Sequence, residues 1–133
     1  MKTLTDEIKE IIDNAGINAG YKDIDVTILP CNVSGMGDFQ CNNAMAMAKA
    51  YGKNPREIAN EIVNSISANE IITEISIAGP GFINITVSND YLGKFVIKYM
   101  NALNEKLDID NKNIIIDYGG ANVAKPLHVG HMR

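Results

Sequence analysis

The sequence predicts an α+β fold: a small antiparallel sheet packed with helices, followed by a strand and turn that open a second unit. Three observations carry that reading. Apolar residues recur at helical spacing in four separate segments. Two β-rich runs, 71–77 and 82–87, flank the break Gly79-Pro80-Gly81 closely enough to pair as neighbours. Near the carboxyl end, Ile114-Ile115-Ile116 leads into a glycine-bearing turn and then His128-Val129-Gly130-His131, the order of a buried strand, a phosphate-approaching loop and a helix opening.

Taken in order, Leu4, Ile8, Ile11, Ile12 and Ala15 form one stripe of a first helix. Thr5 is its expected N-cap, Asp6 and Glu7 suit the first turn, and Gly16 is the expected stop. Residues 24–29 alternate apolar and polar, predicting a half-buried strand ended by Pro30. Gly35-Met36-Gly37-Asp38 reads as a loop. Phe39-Gln40 then leads into a short helix with a methionine and alanine stripe (Ala44, Met45, Met47, Ala48), read as core packing and stopping near Gly52. Asn54-Pro55 is a helix start whose apolar face is Ile58, Ala59, Ile62, Val63 and Ile66. After the strand pair, Asn89 or Asp90 caps a helix carrying Leu92, Phe95, Val96, Tyr99, Met100 and Leu103. The polar stretch 104–112 reads as a linker and sets the expected boundary between units 1–110 and 111–133.

Composition narrows the function classes. A chain of 133 residues with 46% hydrophobic and 21% charged residues is ordinary for a globular domain able to fold without disulfides or metal. No apolar run approaches the ~20 residues of a membrane span, and the charged N-terminus has no signal-peptide core, so a cytoplasmic setting is expected. Cys31 and Cys41 are too few and too far apart for a zinc site or a redox pair, and are expected as free thiols. The net charge of −4 argues against a broad nucleic-acid-binding face, so any such contact should be local and of micromolar or weaker affinity.

The paired histidines carry the chemistry. If a helix begins near His128, His128 and His131 lie on one face of its first turn and join the backbone N–H groups in presenting donors to an anion. Gly130 leaves room for a flat base or ribose, Pro126 fixes the approach, and Lys125 adds a mobile positive charge. Such a set can neutralise charge on a phosphoryl group during displacement. An HxxH pair can also hold a metal, but no third ligand stands nearby, and two histidines near a chain end can be incidental.

The wider context is more specific. The segment 117–133, Asp-Tyr-Gly-Gly-Ala-Asn-Val-Ala-Lys-Pro-Leu-His-Val-Gly-His-Met-Arg, resembles the HIGH-motif region of arginyl-tRNA synthetases, a family of class I aminoacyl-tRNA synthetases. Gly37-Asp38-Phe39-Gln40 resembles the family's Gly-Asp-Tyr-Gln segment, and 77–84 another recurrent stretch, so the likeness covers nearly the whole chain. It implies an N-terminal tRNA-recognition domain followed by the truncated start of a catalytic Rossmann fold. It also implies an enzyme that uses ATP, with Mg2+, and L-arginine to charge tRNA(Arg) through arginyl-adenylate, as a monomer. By resemblance His128 and His131 bind ATP and stabilise the transferring phosphate, and Gly130 lies against adenine. Asn122 matches a residue near arginine, and Lys125 one that compensates for a missing downstream KMSKS lysine. Phe82, Asn84 and Gln40 match positions expected to meet the tRNA elbow near the D-loop: the ring can stack on a base and the amide bond its edge. An aromatic opening a strand is more often core, and Gln40 serves equally well as a loop cap. Gly119-Gly120-Ala121 departs from the usual Ser-Ser/Ala-Pro, so no role is carried over to those three residues.

With one Rossmann strand and a stub of helix, the chain by itself is not expected to aminoacylate. A freestanding RNA-binding module and an HxGH nucleotidyltransferase are the alternatives. In the latter the motif lies near the N-terminus, without an α+β domain of about 110 residues before it.

Overall fold

The computed structural model describes residues 2–22 and 24–104. Its elements run α1 (Leu4–Asn18), β1 (Ile28–Pro30), β2 (Phe39–Cys41), α2 (Asn43–Tyr51), α3 (Pro55–Asn64), β3 (Ile72–Ala78), β4 (Phe82–Val87) and α4 (Asn89–Asn104). The strands form one antiparallel sheet in the order β1-β2-β4-β3, which is the expected α+β architecture. The linker after residue 104, the strand at Ile114–Ile116 and the boundary placed at 110 lie outside the described residues.

Strand alternation sorts the central strand into two faces. Ile83, Ile85 and Val87 point one way and are buried with Ile8, Ile12 and Ala15 of α1 and Ile58, Ala59 and Ile62 of α3. Each fully buried isoleucine contributes roughly 1.5–3 kcal/mol relative to exposure. Phe39, Ile75 and Ile77 pack against this cluster from the neighbouring strands. α2 packs on α3 rather than on the sheet.

Several expectations are corrected. The cap of α1 is Thr3, not Thr5: its hydroxyl accepts from the Asp6 N–H, while Asp6 Oδ2 accepts from the Thr3 N–H at 2.9 Å. Such a cap is worth about 1 kcal/mol. Gly16 does not stop the helix, which continues to Asn18. Its missing Cβ makes room for Ile24, whose Cδ1 would lie 2.2 Å from that atom. The strand expected over 24–29 is shorter and later, because side chains take the backbone donors it would need. Asp13 Oδ1 accepts from the Val26 N–H and Asn43 Oδ1 from the Thr27 N–H, at 3.2 and 2.8 Å. Pro30 is the last residue of edge strand β1 rather than a residue beyond it.

Strand β2 was not anticipated; three residues are too few for a periodic signal. Of the methionine and alanine stripe, read as core packing, Ala44 is buried and Met47 and Ala48 pack half-buried against the core, but Met45 is exposed. The helix at Asn54-Pro55 and the antiparallel pair around Gly79-Pro80-Gly81 stand where expected. Ser88 Oγ accepts from the Tyr91 N–H, so the cap of α4 lies one residue before Asn89. The expected stripe of α4 is present, but Leu92, Val96, Tyr99, Met100 and Leu103 are exposed. Cys31 and Cys41 are free, and burial pushes the Cys41 thiol up.

Candidate nucleic-acid interface

The face of the sheet opposite the helices is polar. From the register, Leu29, Gln40, Asn84 and Ser76 form one row across all four strands, with Thr86 beside Glu74 in the next and Phe82 beside Ala78 at the hairpin end. Leu29, Glu74 and Ser76 are exposed; Gln40, Phe82 and Thr86 are half-buried. Asn84, on the central strand, is only 3% accessible.

Three residues expected to meet RNA are thus brought together. Gln40 and Asn84 are direct cross-strand partners, and Gln40 Nε2 donates to Asn84 Oδ1 at 2.8 Å. That bond orients both amides and leaves Gln40 Oε1 and Asn84 Nδ2 with no protein partner among the described residues: an acceptor beside a donor, suited to the edge of a base. Phe82 is two residues from Asn84 on the same face. The loop cap weighed beside RNA contact for Gln40 is not what the fold shows: the residue sits within β2 and its side chain bonds across to Asn84.

The local sequence explains why these positions are held. Gly37 has φ +89°, and a Cβ there would lie 2.8 Å from the Ile85 carbonyl oxygen. Asp38 extends the pairing past β2: its N–H donates to the Ile85 carbonyl, and its Oδ2 accepts from the Val87 N–H, both at 2.8 Å. Phe39 faces the core and Gln40 the open side. The hairpin end is equally constrained. Gly81 has φ +130°, and a Cβ would meet the Pro55 carbonyl oxygen at 2.9 Å, so the turn lies against the start of α3.

What the residue-by-residue reading missed was the face as a unit. The signal was present: Phe82, Asn84 and Thr86 alternate with Ile83, Ile85 and Val87. Ser76 joins them only through register. Asn122, Lys125, His128, Gly130 and His131 lie outside the described residues.

Comparison with known proteins supplies the class. Residues 2–87 match the family model for the arginyl tRNA synthetase N terminal domain. Residues 94–133 match that for the catalytic domain of class I (R) tRNA synthetases. An α+β domain ahead of the opening of a class I catalytic domain is the order found, and the chain belongs to the arginyl-tRNA synthetase family. It is 41% identical to the arginine–tRNA ligase of Alkaliphilus oremlandii over 100% of its own length and 22% of the relative's. The cytoplasmic arginine–tRNA ligase of Xenopus tropicalis is 37% identical, over 100% and 21%. The chain therefore spans about a fifth of the length of these relatives. Among solved structures, the arginyl-tRNA synthetase of Plasmodium falciparum superposes with TM-score 0.60 and 31% identity, over 71% of this chain and 18% of that one. That of Thermus thermophilus shares the fold, with TM-score 0.59 at 21% identity, covering 98% of this chain and 21% of that one.

Proposed function

We propose that the chain is the N-terminal part of an arginine–tRNA ligase, and that the open sheet face is where it meets the elbow of tRNA(Arg). The carrying observation is the Gln40–Asn84 pair beside Phe82: two amides locked by a 2.8 Å bond, next to an aromatic ring, on a face of a helix-backed sheet. A base stacked on Phe82 would place its edge over that donor and acceptor. Of the residues that the register places on this face only Glu74 is charged, so the contact reads shape and hydrogen bonding more than phosphate density.

Residues 1–110 form the tRNA-recognition unit in this proposal, and 111–133 the start of the catalytic unit. His128 and His131, with the backbone around Gly130, would hold ATP and neutralise its α-phosphate as the carboxylate of L-arginine attacks and pyrophosphate leaves. Asn122 would lie near the arginine and Lys125 near the phosphates, with Mg2+ accompanying the nucleotide. The match of 94–133 to a class I (R) catalytic domain supports this reading over a nucleotidyltransferase or a freestanding RNA module. The whole enzyme would work as a cytoplasmic monomer; among the described residues no helix is long and apolar enough to cross a membrane.

The test is a titration of labelled tRNA(Arg) transcript with the chain and its Phe82→Leu variant, which keeps apolar bulk and removes the stacking face. Loss of about 1–3 kcal/mol of binding, with unchanged circular dichroism, is expected. Equal affinity for the two proteins would refute the assignment of this face.

A further inference from the structure

The open face carries the groups that read a base but no cation, and a nucleotide also brings a phosphate. Four described lysines, Lys2, Lys9, Lys53 and Lys94, are already matched to carboxylates within 4 Å. Arg56 is exposed and forms no ion pair among the described residues. Its Nη1 donates instead to the Gly79 carbonyl oxygen at 3.1 Å. That places the guanidinium on the hairpin turn that ends beside Phe82, whose ring reaches 3.3 Å from where a Gly79 Cβ would stand. The backbone of Arg56 is fixed as well. Its N–H donates to Asn54 Oδ1 at 2.9 Å, and the Gly81 approach presses the turn against Pro55 and Arg56. One guanidinium N–H is committed to the turn; the others of its planar fork remain to bind an anion.

We infer that Arg56 contacts the phosphate of the nucleotide that stacks on Phe82, while its bond to Gly79 holds that ring in place. This deepens the reading of the open face as the RNA surface and rests on it. Lys22, Lys49 and Lys98 are also without carboxylate partners among the described residues, but none is hydrogen-bonded to the hairpin.

The test measures binding of tRNA(Arg) transcript to the 133-residue chain across a range of KCl concentrations. Arg56→Gln, Arg56→Lys and Phe82→Leu are compared with the parent, circular dichroism confirming that each folds. Arg56→Gln is expected to weaken binding roughly tenfold at low salt and to reduce the slope of log K against log salt by about 0.7–0.9, one phosphate contact. Arg56→Lys keeps the charge and should keep the parental slope. Phe82→Leu should weaken binding with the slope unchanged. If Phe82→Leu weakens binding while both Arg56 variants keep the parental slope, the phosphate contact is wrong and the face assignment survives. If none of the three alters affinity or slope, both are wrong.

Discussion

Gly37 and Asp38 show how a short run of residues can be recognisable in sequence while its cause stays hidden. Gly-Asp-Phe-Gln stood out by resemblance, but its loop gave no reason for the glycine. The structure gives two: a backbone at φ +89°, which L side chains rarely adopt, and an Ile85 carbonyl oxygen 2.8 Å from any Cβ. Both depend on a strand almost 50 residues away, which no local pattern reveals. Gly37→Ala should therefore destabilise the chain by about 2–3 kcal/mol in urea unfolding. A change within ~0.5 kcal/mol, the range of ordinary surface substitutions, would show that the loop relaxes freely. Asn84 is the converse case. Its sequence neighbours, two isoleucines, announce a buried strand, yet only the cross-strand position of Gln40 explains how the oxygen of a buried amide finds its donor.

Among the elements, the long helices and the strand pair were legible because each repeats its period over several turns or residues. α3 has the expected cap and buries Ile58, Ala59 and Ile62 of the expected face, with Val63 partly buried, while Ile66 lies past its last residue, Asn64. The short strands were not legible. β2 offers three residues, and β1 begins only where Asp13 and Asn43 stop taking backbone donors. α4 is the helix that its apolar spacing predicts, but that spacing does not reveal what attaches it. Tyr91 Oη donates to Glu7 Oε2 of α1 at 2.5 Å. That bond, and after it burial, pushes the Tyr91 phenol up to about 12. A phenol whose pKa is raised by folding stabilises the native state fully below its unfolded value of about 10 and loses that contribution as pH climbs through about 12. Over that window, urea-unfolding stability should fall more steeply for the parent than for Tyr91→Phe. Parallel declines would show that the Tyr91–Glu7 bond contributes nothing to holding α4.

For the whole molecule, a net charge of −4, with half of the described lysines and arginines held in ion pairs, leaves little room for wide electrostatic binding of RNA. What remains is a helix-backed sheet with one polar side, held in register by Asp38 and closed by a hairpin clamped to α3. Resemblance singles out Gln40, Phe82 and Asn84 one by one; only the fold makes them neighbours. The most direct test of that assembly is a backbone amide NMR titration of the chain with tRNA(Arg) transcript. Shift changes are expected to cluster at Gln40, Ser76, Phe82, Asn84 and Thr86, and at Arg56 beside the turn. Changes confined to the exposed sides of α1 and α2, with those positions silent, would contradict the account.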